Sequence, residues 1–143
     1  MSDLPYSTAV LRLAAEANGA GRLAPPRSSH TENNPVCGDR VTVDVRMVGT
    51  LVEAIAHDTK ACVLTQASAS LLGATLAGHT TAELAVGRHA VAAMLLGGPP
   101  PDGEFAKFSV LADVARHPAR HRCVLLPLDA ALKASAEPGS QGA

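Results

Sequence analysis

Residues 41–47, Val-Thr-Val-Asp-Val-Arg-Met, alternate apolar and polar side chains without a break. A period of two puts Val41, Val43 and Val45 on one face of an extended strand and the polar groups on the other. A strand with one wet face suits an antiparallel sheet. Val48-Gly49-Thr50 turns the chain, and residues 51–57 (LVEAIAH) follow as the second arm of a hairpin. Upstream, residues 6–18 carry Val10, Leu11, Ala14, Ala15 and Ala17 at helical spacing, and Asn18-Gly19 ends that helix. Residues 19–36 hold glycines, Pro25-Pro26, Ser28-Ser29 and Asn33-Asn34-Pro35, which predicts a loop contributing nothing to the core.

Downstream of Cys62 the period becomes helical. Leu64, Leu71, Leu72 and Leu76 share a side, and Gly78 closes the helix. Thr80 and Glu83 have capping-box spacing and open a helix to about Leu96. Gly97-Gly98-Pro99-Pro100-Pro101 breaks it. Phe105, Phe108, Leu111, Ala112 and Ala115 predict a fourth helix, ended by His117-Pro118. A last helix is expected from about Cys123 to Ala136, with Pro127 tolerable only near its first turn. Residues 137–143 (EPGSQGA) are expected to be a disordered tail. Strands followed by helices predict a single α+β domain over 1–143, a small antiparallel sheet covered by helices.

Composition narrows the function. The chain has 143 residues, 47% apolar and 17% charged, enough to fold around a core. Twelve basic and thirteen acidic residues leave a net charge of −1, which argues against nucleic acid and membrane partners. Neither a signal peptide nor a spanning helix is legible, so a cytoplasmic location is expected. There three cysteines stay reduced, which points to metal binding, reactivity or plain core packing.

The cysteines fall at element boundaries. Cys37 precedes the first hairpin strand, and Cys62 and Cys123 begin helices, where unpaired N–H groups and the helix dipole favour thiolate. Asp39, two residues after Cys37, is a possible fourth member; the alternative is a turn aspartate. Three sulfurs and one carboxylate form a donor set that zinc accepts, with the harder oxygen as the exchangeable ligand. The histidines show no metal spacing, and His30, His79, His89 and His117 are expected at the surface or in caps. Ser68 and Ser70 are expected to serve helix packing, and Arg120 to steer an acidic partner, to stabilise a thiolate, or to be a solvated arginine.

Three segments carry a family likeness: Asn34-Pro35-Val36-Cys37-Gly38-Asp39-Arg40, Ala61-Cys62 leading into Gln66-Ala67-Ser68-Ala69-Ser70, and Pro118-Ala119-Arg120-His121-Arg122-Cys123. In that order the chain resembles the U-type iron–sulfur cluster assembly proteins, the IscU/SufU/NifU N-terminal family. Cys62 and Cys123 lie 61 positions apart, and Arg122 stands where IscU-type members place a histidine, so the SufU branch is the nearer one. The resemblance implies a scaffold or sulfur-transfer protein rather than a stand-alone enzyme. It implies zinc, or a transient Fe–S cluster, on Cys37, Asp39, Cys62 and Cys123. It further implies that a pyridoxal-phosphate (PLP) cysteine desulfurase delivers sulfur to one of the three cysteines, and that apo Fe–S acceptor or carrier proteins receive the product. Ala61 replaces the family's usual glycine, and Ala17–Arg22 only partly matches its desulfurase-engaging stretch. Two other readings stay open: a cysteine-dependent enzyme with Cys123 as nucleophile and His121 as base, and a zinc-binding interaction domain.

Overall fold

The computed structural model describes residues 6–36 and 38–136. The elements are α1 (Thr8–Glu16), β1 (Ser28–Asn34), β2 (Asp39–Val48), β3 (Leu51–Lys60), α2 (Val63–Thr75), α3 (Thr81–Leu95), two 3₁₀ segments (Gly103–Arg116 and Pro118–Arg120) and α4 (His121–Ser135). The three strands form an antiparallel sheet in the order β1-β2-β3. This is the expected α+β architecture.

β2 organises the core. Val41, Val43 and Val45 are fully buried, with α4 covering β1 and β2 and α2 covering β3. Burying each valine contributes on the order of 1.5–3 kcal/mol. α1 packs across α2 at Gly73, where an added Cβ would lie 2.0 Å from the Asn18 carbonyl oxygen. Ser7 caps α1 and the Thr80/Glu83 capping box opens α3, as the sequence predicts.

Two expectations need correction. The stretch 19–36 holds strand β1, paired from Ser28↔Val45 to Asn34↔Asp39. Its inward positions are Ser28, His30, Glu32 and Asn34. They pack by hydrogen bonds: Ser28 Oγ donates to the Ala134 carbonyl at 2.6 Å, and Lys133 reaches Glu32 at 3.1 Å. Hydrophobic periodicity cannot detect such a strand. The segment expected as a fourth helix, with Ala112 and Ala115 on its buried side, is a 3₁₀ helix over Gly103–Arg116. Phe105, Phe108, Leu111 and Val114 are its buried residues, and their spacing of three aligns them on one side at three residues per turn. Ala112 is exposed.

Pro127 lies inside α4, beyond its first turn, and cannot donate to the carbonyl four residues back. The buried Ser68 hydroxyl donates into the same turn, to the Val124 carbonyl at 2.6 Å. Ser70 accepts from the Asn18 backbone and side-chain amides at 3.0 and 3.1 Å. Both serines therefore serve packing, as expected. The tail expected over 137–143 lies outside the described residues, and no helix among the described residues is long and apolar enough to cross a membrane.

Candidate metal centre

The start of β2 and the first turns of α2 and α4 meet at one end of the core. Asp39, the first residue of β2, shares the inward face with Val41 and is 4% exposed. Cys62 is the N-cap of α2 and half-buried. Cys123 is the third residue of α4 and 1% exposed. One carboxylate oxygen of Asp39 and the two sulfurs all lie within 4.8 Å of one another. Tetrahedral zinc with bonds of about 2.0–2.3 Å holds its donors roughly 3.3–3.8 Å apart, so small side-chain adjustments suffice for a shared ion.

The carboxylate also organises the helix it faces. Cys62 makes no side-chain cap bond. Asp39 Oδ1 instead accepts from the Cys62 amide at 3.1 Å, and Oδ2 accepts from the Thr65 hydroxyl at 3.0 Å. That satisfies an orphan N–H of the helix terminus from across the fold. The Cys62 sulfur is 3.5 Å from the same Thr65 hydroxyl. Both cysteines thus sit at helix N-termini.

Arg120 adds positive charge. Its pKa is raised foremost by Tyr6 and then, against the cost of burial, by Cys62 and Cys123. Arg120 therefore stands beside both thiols.

Cys37 lies outside the described residues. Its flanks are ordered by the missed strand: Asn34 pairs with Asp39, and the Gly38 amide donates to the Asn34 carbonyl at 2.8 Å. Gly38 has φ +75°, a backbone that favours glycine. His121, weighed as a base for Cys123, turns its Nε2 to the Val114 and Ala115 carbonyls at 3.1 and 3.3 Å and is not among the converging donors. Arg122, next to Cys123, reaches back to Glu32 and the Asn33 carbonyl at 3.6 and 3.3 Å, fastening α4 to β1.

His79 pairs with Glu104 and lies 3.4 Å from Glu83, while His89 is exposed. Sequence reasoning missed His57 and Thr65. His57 is 4% exposed, and burial lowers its pKa. Thr65 bonds Asp39 across 26 positions, a contact that no local pattern encodes.

Comparison with known proteins agrees with this geometry. Residues 5–123 match the NifU-like N terminal domain family. The iron–sulfur cluster assembly scaffold protein IscU of Thermotoga maritima is 27% identical over 121 residues, covering 85% of each chain. The zinc-dependent sulfurtransferase SufU of Bacillus subtilis is 28% identical over 96 residues, covering 66% of this chain and 65% of its own. Among solved structures, the N-terminal part of a nitrogen-fixing NifU-like protein from Brucella abortus superposes with a TM-score of 0.89 at 35% identity, covering 94% of both chains.

Proposed function

The chain belongs to the family of NifU-like N-terminal domains, and on that premise we propose that it is an iron–sulfur cluster assembly protein that accepts sulfur from a cysteine desulfurase. The observation that carries the reading is the convergence of Asp39, Cys62 and Cys123 at two helix N-termini. Cys37 completes the set. It stands two residues before Asp39, so chain length alone keeps its Cα within about 7 Å of that residue's. The four side chains would hold zinc, or present iron and sulfur as a nascent cluster, the cargo handed to apo acceptor proteins. Relatives bearing both the IscU and the SufU names match, and Arg122 before the third cysteine favours the zinc-holding SufU kind.

The chemistry follows from thiolate control. A metal-bound thiolate is already deprotonated, and its release yields a charged nucleophile near neutral pH. That thiolate attacks the terminal sulfur of the desulfurase's cysteine persulfide. A new S–S bond forms on this chain, the donor's S–S bond breaks, and the donor cysteine leaves as thiolate, with no net oxidation. Arg120 offers positive charge beside Cys62 and Cys123 for the anions involved.

The test combines metal content with desulfurase stimulation. One zinc per chain is expected after aerobic purification, lost in Cys37→Ser, Cys62→Ser and Cys123→Ser alike. The zinc-loaded protein should raise the turnover of a PLP-dependent cysteine desulfurase. Zinc binding without stimulation would mark an interaction domain instead. Activity that needs Cys123 alone would mark a cysteine-dependent enzyme, a reading that His121's hydrogen bonds to the Val114 and Ala115 carbonyls do not favour.

A further inference from the structure

Thr65 is fully buried, and its hydroxyl lies between two of the converging donors, 3.0 Å from Asp39 Oδ2 and 3.5 Å from the Cys62 sulfur. A helical threonine has an alternative acceptor, the carbonyl four residues back. Here that is the Ala61 carbonyl, and the Gln66 side-chain amide donates to it at 2.8 Å. A carboxylate only accepts, so the one hydroxyl proton of Thr65 goes to Asp39. The Cys62 amide holds the other oxygen at 3.1 Å. The terminal torsion of an aspartate is otherwise broad. Two donors on one rigid helix turn therefore fix both the place and the rotation of this carboxylate.

We propose that Thr65 is a positioning residue for Asp39: its hydroxyl holds the carboxylate in the orientation that ligates a metal beside Cys62 and Cys123, and so sets how long the metal stays. This rests on the metal-binding part of the reading above, and not on sulfur transfer. Partners that orient a ligand in this way typically account for 10–100-fold in metal affinity.

The experiment is zinc affinity by competition with a chromophoric chelator, together with the zinc release rate, for wild type, Thr65→Val, Thr65→Ser, Asp39→Ala and the double variant Asp39→Ala/Thr65→Val. Thr65→Val should bind zinc roughly 10–100-fold more weakly and release it faster, while Thr65→Ser stays within about threefold of wild type. In the Asp39→Ala background, Thr65→Val should change nothing further. Release from protein loaded during expression needs no folded apo form, so a poorly folding variant still gives a result. Wild-type affinity in Thr65→Val, an equal loss in both backgrounds, or a serine variant as weak as the valine would each overturn the assignment while leaving the metal site standing. Wild type that takes up no zinc would overturn both.

Discussion

β2 carries two buried aspartates with opposite fates. Asp39 and Asp44 are five residues apart, so they point to opposite faces of the sheet. Asp39 is 4% exposed and Asp44 not at all. Asp44 is met by an ion: Arg22 Nε and Nη2 donate to its two oxygens at 2.7 and 3.0 Å, with the Leu23 amide and Ser29 hydroxyl adding further bonds. Burial would push its pKa up, yet these donors hold it below the usual carboxylate value. Asp39 accepts from an amide and a hydroxyl, and two sulfurs stand beside it. Burial alone therefore does not separate structure from chemistry. A guanidinium satisfies one carboxylate; an amide and a hydroxyl orient the other beside two sulfurs.

The largest expected effect comes from breaking the structural half. Arg22→Ala leaves the buried Asp44 with Arg27, 3.9 Å away, as its remaining cation, and because Arg22 itself is 47% exposed the loss should be about 2–3 kcal/mol. Denaturant melts should show that loss, while zinc stoichiometry in the folded fraction stays that of wild type. A variant that keeps its stability would mean that the 20–27 segment covers the sheet without this pair.

Next is Asp39→Ala. Because Asp39 caps α2 from across the fold, its loss should cost about 1–2 kcal/mol of apo stability, the usual worth of a cap. Zinc binding should suffer far more. Asp39→Cys offers a softer fourth donor and should hold zinc more tightly and exchange it more slowly. Paired melting and zinc-competition data decide this. Equal zinc affinity in wild type and Asp39→Ala would remove the carboxylate from the metal set.

The same contrast explains what could be read in advance. The alternating valines of β2, the capping box at Thr80 and the cysteines at helix starts are local patterns, and each appears where expected. β1 was hidden because its inward side chains are polar and pack by hydrogen bonds to α4. The 3₁₀ helix was hidden because spacings of three and four look alike over a few turns. Asp44 looked like a residue of the wet face. Its cover, Arg22 and Leu23, lies more than twenty positions away, and no local period encodes that contact. Asp39 was found through the company of Cys37, but its bond to Thr65 spans 26 positions and was not legible.

Acid titration sharpens the comparison with a smaller effect. The folded-state pKa of Asp44 is lowered from 3.8. Between the folded and unfolded values the unfolded chain binds the extra proton, so stability rises with pH there. The Asp44 contribution is thus fully present above about pH 4 and is lost as pH falls through the folded value. Asp44→Asn should flatten that acid limb in melts between about pH 5 and 2. An unchanged limb would place the acid sensitivity elsewhere.

The smallest effect belongs to His57, on β3 opposite Val43 and facing the core. Its Nε2 donates to the Asn18 carbonyl at 2.9 Å, and Nδ1 accepts from Thr59 at 2.8 Å, so the ring is satisfied while neutral. Its backbone binds the same loop: the His57 amide donates to Gly19 at 2.9 Å, and the Gly21 amide to the His57 carbonyl at 2.8 Å. Burial lowers its pKa from 6.5, outweighing the Asn18 carbonyl and Asp58, which favour the cation. A base with a depressed folded pKa loses stability as pH falls below its unfolded value, because the unfolded chain takes the proton first. The loss therefore begins below about pH 6.5, well above the window of Asp44, and the two limbs separate in one pH series. His57→Gln keeps hydrogen-bonding capacity toward Asn18 and Thr59 but cannot titrate. It should lower stability at pH 7.5 and remove the decline between about pH 6.5 and 5, with the Asp44 limb untouched. The measurement belongs on metal-free protein, so that proton-linked metal release adds no slope. A decline that survives in His57→Gln would assign the neutral-range sensitivity to another group.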